Sequence, residues 1–419
     1  MNVPEDVNAP ADSYVAGNAD FGLALLDRLA DESPDRNRFV SPYSVGVALA
    51  MTYAGARGET RTEMAETMRF HPTGDELHPT VAALRSALPL ADSDSSESAT
   101  TAGDSDESDG DDGAEQRGDG VPLRLVGANA LWGQEGYPFR EEFLRRLEQH
   151  YGAGLGRVDF AGNPDEARRA INEWIADRTR EKVPELFPEG VIDQQTRLVL
   201  ANAVSFRANW ADTFDEETTG PKPFTALDGT TDEVPTMYQQ ERFPFTEVDG
   251  VKVLELPYAG GNTDMALFMP PRGREQFREF ERHLDADRLT ELLDATEARE
   301  VEVRLPRFEF RSDLDLAERL ATMGMPTAFT REANFDGMAD DDDASESPKL
   351  RSVMHEAYVR VDERGTEAAA ATGVEAEALG APRNPATFVA DRPFLFVIRH
   401  RPTGTVLFLG RVADAAAAN

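Results

Sequence analysis

Six histidines, at positions 71, 78, 150, 283, 355 and 400, and two closely spaced serines, Ser41 and Ser44, are the residues of this 419-residue chain best suited to acid–base or nucleophilic chemistry. Their spacing does not deliver it. No HExxH pair, GxSxG elbow or glycine-rich phosphate cradle is present, and neither serine is followed three positions on by a lysine. Glu356 follows His355, but neighbours on a strand point to opposite faces and cannot act as a general-base pair. His355 therefore reads as a buried, hydrogen-bonded histidine, Ser41 and Ser44 as structural, and Trp210 as core. The absence of cysteine removes disulfides, thiol nucleophiles and thiolate metal sites. The sequence predicts no enzyme, no metal site and no cofactor.

The most informative pattern is instead a strand without a partner. In VDERGTEAAAATGVEAEA, Val361 to Ala378, one alternate set is Thr366, Ala368, Ala370, Thr372, Val374, Ala376 and Ala378. The other set carries Glu367, Glu375 and Glu377. That is the period of two of a half-buried strand with its acids facing water. The stretch is nevertheless poor in β-branched and aromatic residues, and four consecutive alanines beside Gly373 give it little local preference for any state. On its own the stretch also fits an exposed helix or a flexible linker; read as a strand, it is one able to change conformation.

The elements needed to position such a segment are legible in outline. Helical periodicity runs through 20–30, 43–54, 60–68, 78–90, 138–151, 164–181 and 275–294. Strand-like runs occupy 123–132, 198–206, 251–257, 264–269, 301–308, 353–361, 394–400 and 405–412. Gly260-Gly261-Asn262 between two apolar runs signals a hairpin. Helices come early and strands late, which predicts an α+β architecture rather than repeated βαβ units. No Pro/Gly/Ser linker divides the chain, so a single domain over 1–419 is expected.

Charge sets further bounds. The 78 acids against 43 bases give a formal net charge of −35, and only Lys182, Lys222, Lys252 and Lys349 are lysine. Carboxylates this dense repel one another in dilute buffer but are screened over roughly 3 Å at molar salt, which predicts a salt-adapted host. Nucleic acid is excluded as a ligand on charge. Residues 91–120 hold no large apolar side chain and are expected to be a disordered acidic loop insertion. Asp340 to Asp343 form a second acidic loop without calcium-loop spacing. No 18-residue apolar run exists and the amino-terminus is acidic, so neither a membrane span nor a signal segment is read, and a cytoplasmic protein is expected.

Several blocks together resemble one family. GTEAAAAT after the strand-like Ala357 to Val361 resembles the proximal hinge of the serpin reactive-centre loop, and Arg392-Pro393-Phe394-Leu395-Phe396 with Gly410-Arg411-Val412 resembles the serpin carboxy-terminus. Asn37 to Ser44 and the helix-like run after it match the family's SPxS element. Residues 171–210, with Asn172, Asn202 and Trp210, are similar to its helix, connector and long central strand, and Met354-His355-Glu356-Ala357 to the strand where the family places a histidine facing the asparagine and serine of the region where the sheet opens. The blocks also follow the family's order.

The resemblance implies a serpin fold: a large mixed central β-sheet, further sheets, about eight to nine helices and an exposed reactive-centre loop over 362–392. It groups Ser41, Ser44, Asn172, Asn202, Trp210 and His355 in the region where the sheet opens. It makes Glu363, Gly365, Thr366, Glu367, Ala368, Ala369, Ala370, Ala371 and Thr372 the hinge, and counting from Thr366 puts the reactive bond at Leu379-Gly380. It implies a monomeric suicide inhibitor of haloarchaeal type. Its target would be a serine protease that prefers leucine or another large apolar residue, chymotrypsin- or subtilisin-like; Arg383-Asn384, farther along, would suit a trypsin-like enzyme. A non-inhibitory carrier, chaperone or storage role, or inhibition of cysteine proteases, stays open. Small residues at 366, 368, 370 and 372 can slide into a sheet without overpacking, whereas a buried unpaired charge cannot. Thr366→Arg is accordingly expected to turn an inhibitor into a substrate that is merely cut; stable covalent complexes on a denaturing gel of that variant would refute insertion.

Overall fold

The computed structural model describes residues 5–88, 124–152, 154–339, 348–366 and 385–417. The acidic stretch 91–120, Asp340 to Asp343, hinge residues Glu367 to Thr372 and the Leu379-Gly380 bond lie outside the described residues. Among the described residues the helices are α1 (Glu5–Glu32), α2 (Pro42–Tyr53), α3 (Gly58–Thr67), α4 (Leu77–Ala87), α5 (Glu141–Tyr151), α6 (Pro164–Thr179), α7 (Arg274–His283), α8 (Ala286–Asp294) and α9 (Ala317–Met323). The strands are β1 (Arg38–Val40), β2 (Arg124–Gln134), β3 (Gly156–Val158), β4 (Leu198–Asn209), β5 (Gly220–Thr225), β6 (Thr231–Val248), β7 (Val251–Pro257), β8 (Thr263–Met269), β9 (Glu297–Pro306), β10 (Phe308–Asp315), β11 (Val353–Asp362), β12 (Gly365–Thr366), β13 (Ala386–Val389), β14 (Phe394–His400) and β15 (Thr405–Val412).

Two sheets result. One has nine strands in the order β1-β15-β14-β8-β7-β6-β9-β13 with β5 on β6; the other has six, β10-β11-β12-β4-β2-β3. The six-stranded sheet is mixed: β10 and β11 are antiparallel, β11 and β4 parallel, β4 and β2 antiparallel. Aromatic rings join the sheets, with Phe39 of β1 stacked on Phe408 at 4.8 Å and on Phe396 at 5.7 Å, and edge-on to Phe310 of β10. Helix α2 is buried along its whole length, as a helix that is apolar on every side must be. On the opposite face of the six-stranded sheet, Ala167, Ile171 and Ile175 of α6 pack with Ala128, Ala130 and Trp132 of β2, Ala201 and Ala203 of β4 and Met354 of β11.

Some expected boundaries move. The stretch 275–294 is two helices, because the Asp285 side chain accepts a hydrogen bond from the Arg288 amide at 2.8 Å and caps a fresh helix there. Helix α1 extends back to Glu5, well before the expected residue 20. The 18-residue β6 went unread because it mixes buried Val234, Met237 and Phe243 with Glu241, Arg242 and two prolines, which breaks strict alternation.

One strand matters beyond the others. Over Val353 to Tyr358, β11 pairs directly with β4 at Leu200 to Ser205. Higher up, two-residue β12 lies between them: Thr366 faces Val361 of β11 on one side and Ala208 of β4 on the other. Gly365 makes this possible, with φ at +152°, where an added Cβ would stand 2.1 Å from the Ala208 carbonyl oxygen. Gly365→Ala is expected to cost about 1–3 kcal/mol, the range for enforced backbone strain, read as a lowered midpoint in chemical denaturation.

Candidate functional site

The seam between β4 and β11 is closed by a buried chain of hydrogen bonds. Ser41 caps α2, its Oγ accepting from the Ser44 amide at 3.1 Å and donating to the Leu407 carbonyl at 2.7 Å. The Ser41 amide donates to Nε2 of His355 at 3.2 Å. An amide only donates, so Nε2 carries no proton; Nδ1 must, and it donates to Oδ1 of Asn202, the register partner of His355 across the seam. Asn202 Nδ2 donates to Ser44 Oγ at 2.8 Å and to Asn129 Oδ1 at 2.6 Å, and Ser44 Oγ donates to Asn129 Oδ1 at 2.9 Å. Asn129 stands opposite Asn202 on β2.

Ser41, Asn202 and His355 have no exposed surface and Ser44 has almost none. Burial pushes the His355 ring down to about 3, so the imidazole is neutral at neutral pH. It works as a polar clasp, not a base: one nitrogen accepts, the other donates, and no reactive atom is left over.

The upper end of the seam is held differently. The Trp210 ring stacks on Tyr258 at 4.5 Å, its Nε1 donates to the Asp362 carbonyl at 3.0 Å, and its amide donates to the Arg364 carbonyl at 2.8 Å. The Phe214 amide takes the Glu363 carbonyl at 2.9 Å. Thr366 is fully buried, with its hydroxyl 2.6 Å from that of Tyr258. The Glu363 carboxylate accepts from Arg307 at 2.7 Å and Thr219 at 2.5 Å. Burial alone would push Glu363 up; its bonds to Arg307 and Thr219 outweigh that and hold it below the usual carboxylate range.

The structure thus brings Ser41, Ser44, Asn202 and His355 into one cluster and puts Trp210, Glu363, Gly365 and Thr366 at the other end of the same seam. Asn172 belongs to neither group. On α6 it accepts from the Leu186 and Phe187 amides at 3.1 and 2.9 Å and donates to the Phe187 carbonyl at 3.0 Å, pinning the segment after the helix. Asn129, Tyr258, Thr219 and Arg307 were not singled out in the sequence. Asn129 had left a signal, a polar residue inside the apolar run Val126 to Trp132.

These features define a class: an α+β protein whose mixed sheet is split at one end by the two residues of β12. The family model described as serpin (serine protease inhibitor) matches residues 16–415, and the chain belongs to the serpin family. It is 36% identical to bovine leukocyte elastase inhibitor over 407 residues, 95% of this chain and 98% of that one. It is equally 36% identical to a serpin-like protein of Thermococcus kodakarensis over 397 residues, 94% of this chain and 84% of that one. The fold matches that of uncleaved ovalbumin with a TM-score of 0.79 at 26% identity, covering 96% and 100% of the two chains.

The clasp has a pH signature. A histidine titrates at about 6.5 in an unfolded chain, and His355 at about 3 when folded. The unfolded chain therefore takes up the proton first, so stability is full above pH 6.5 and falls as the pH drops below it, by about 1.4 kcal/mol per pH unit for one such group. His78, buried against the Tyr151 hydroxyl and also lowered to about 3, adds a slope of the same sign. His355→Gln should lower stability at pH 7 yet flatten the acid limb by about one proton's worth, measured by denaturant titration at a series of pH values.

Proposed function

We propose that this serpin is a suicide-substrate inhibitor of serine endopeptidases. The observation that carries the reading is the seat of Thr366, already a strand residue between β4 and β11 above a seam whose two sides stay in register below it. Continuing both pairings residue by residue brings Ala368 between Phe206 and Val359, Ala370 between Val204 and Ala357, and Thr372 between Asn202 and His355. The inward set is small where it must pass buried neighbours, and its polar member arrives at the polar clasp.

The chemistry belongs to the protease. Its serine oxygen bonds to the Leu379 carbonyl carbon, the Leu379-Gly380 amide breaks, and the Gly380 amine leaves with the proton delivered by the protease's histidine. The segment ahead of Leu379, now free at its far end, adds to the sheet as a strand, as serpin loops do in the general mechanism of strand addition. Each ladder bond gained contributes about 1 kcal/mol net. The acyl-linked protease travels with the segment and loses its catalytic geometry before water can release it. Leu379 suits the apolar primary pocket of a chymotrypsin- or subtilisin-like target, and the bovine relative is named for inhibiting leukocyte elastase. The acidic, lysine-poor composition supports a salt-rich host of haloarchaeal type, in whose cytoplasm the inhibitor is taken to act as a monomer.

Mixing the protein in molar salt with a salt-tolerant subtilisin and with chymotrypsin is expected to give a covalent adduct on denaturing gels and a released peptide beginning at Gly380 by mass spectrometry. Clean cleavage at that bond with no adduct and no gain in thermal stability would instead establish a non-inhibitory serpin.

A further inference from the structure

Phe39 and Phe408 turn to one face of the β1–β15 pair, where their rings stack. Arg38 and Arg411, register partners one step along, turn to the other face. That face lies under α1, where a Cβ added to Gly22 would stand 2.8 Å from the side chain of Leu409. It also lies under α7, whose Phe277 ring centre is 5.4 Å from the guanidinium carbon of Arg411. Like charges directly opposite each other on paired strands repel. Here they are also drawn out of water: Arg411 has no exposed surface, and the Nε of Arg38 is buried.

The acceptors around this pair do not match its donors. Among the described residues, Glu281 of α7 is the one carboxylate in ion-pair reach of Arg411, 3.0 Å from its Nε. The contact is not aligned as a hydrogen bond, and Nε, Nη1 and Nη2 of Arg411 are all buried with no hydrogen-bond partner. Glu281 is also engaged by Arg278, which binds Asp27 and Asp31 as well. Arg38 makes no ion pair among the described residues; its Nη1 reaches the Asn37 carbonyl at 3.4 Å, and its Nε has no partner. The Phe277 ring meets Arg411 through its π-face, which leaves the in-plane N–H groups unmet. Burial pushes Arg411 down to about 10, with Glu281 opposing the shift, so the guanidinium is still charged at neutral pH. Unmet donors on a buried charge are strongly unfavourable.

We propose that Arg38 and Arg411 together bind a monovalent inorganic anion of the halide class, such as chloride, between the β1–β15 pair and the helices α1 and α7. A halide carries no proton and has no preferred direction, so it accepts from several converging N–H groups at once. Water brings two protons of its own to a place that offers donors and a single carboxylate already shared with Arg278. A charged acceptor also makes the stronger bond to a guanidinium and relieves the repulsion between the two arginines. The site bears on the clasp. Ser41 directly follows β1 and donates to the Leu407 carbonyl of β15 at 2.7 Å, so the anion fastens the same two strands from their other face, whatever the exposed segment does.

The test holds ionic strength fixed with potassium gluconate and exchanges part of it for potassium bromide. For the full-length wild-type protein, each tenfold rise in bromide above its dissociation constant is expected to raise the melting temperature by about 1–2 °C. Arg38→Gln, at a half-buried position, is expected to abolish that rise. Wild-type crystals grown in bromide are expected to show an anomalous peak within about 3.5 Å of nitrogens of both Arg38 and Arg411. A water with no anomalous signal at that place overturns the proposal, and this result needs no variant to fold. A melting temperature that climbs with bromide in Arg38→Gln as it does in the wild type overturns it as well. A peak found in molar bromide without any bromide-dependent rise in melting temperature marks an adventitious ion only, and also overturns it.

Discussion

The structure turns on a single seam, the parallel pairing of β4 with β11 inside an otherwise largely antiparallel sheet. Parallel neighbours cannot be joined by a short turn, so the two strands come from distant parts of the chain and nothing covalent holds them together locally. A strand that runs antiparallel to both can therefore enter between them without breaking a hairpin. Thr366 shows the geometry of that arrangement, paired antiparallel on each side. The buried helix α2, the clasp beneath it and the aromatic contacts around Phe39 and Phe206 are the supports that keep the seam closed and the flanking strands aligned.

Much of this was legible in the sequence, and what was not has identifiable physical causes. The alternation after Thr366, the strand around His355 and the buried helix opened by Ser41 and Pro42 all rest on local periodicity or capping, which a sequence carries explicitly. The identity of the partners does not. Arg307 meets Glu363 from 56 positions away and Asn202 meets His355 from 153 away, and each contact exists only because of sheet order. Asn172 shows the converse. Grouped with the opening region by resemblance, it instead serves the segment at 186–187, fifteen residues on, because α6 lies across the outer face of the sheet while the clasp lies under the inner one.

The scarcity of lysine acquires a structural reading here. Arginine at 411, with no exposed surface, lies 3.0 Å from Glu281, and Arg278 binds the same carboxylate. Arg399 reaches Asp264 at 3.0 Å and Glu255 at 2.7 Å. The planar guanidinium can serve two acids at once, which a single ammonium does poorly. Such inward pairs are little screened by salt, whereas exposed ones are. In a chain with so many surface carboxylates, positive charge used inside the fold keeps most of its strength as salt rises, and positive charge left on the surface does not.

That distinction also separates the two ends of the seam. Its lower end is tied by uncharged hydrogen bonds among buried Ser41, Ser44, Asn202 and His355 and half-buried Asn129, and separating the buried groups without an immediate replacement would leave polar atoms unsatisfied away from water, at about 1–3 kcal/mol each. Its upper end is tied by the buried Thr366–Tyr258 contact and the Trp210 bonds, and also by Glu363 to Arg307, whose side chain is 43% exposed and so open to screening and to replacement by water. The one solvent-open fastening of the two ends is at the end where β12 already stands. Under the proposed insertion, opening would begin at Thr366 and run downward, each entering residue replacing a ladder bond as it broke one, until the strand reached the clasp. There the hydrogen bond between His355 and Asn202 would have to be given up, and Thr372 is the one residue among positions 368 to 378 whose sequence supplies a hydroxyl to take its place.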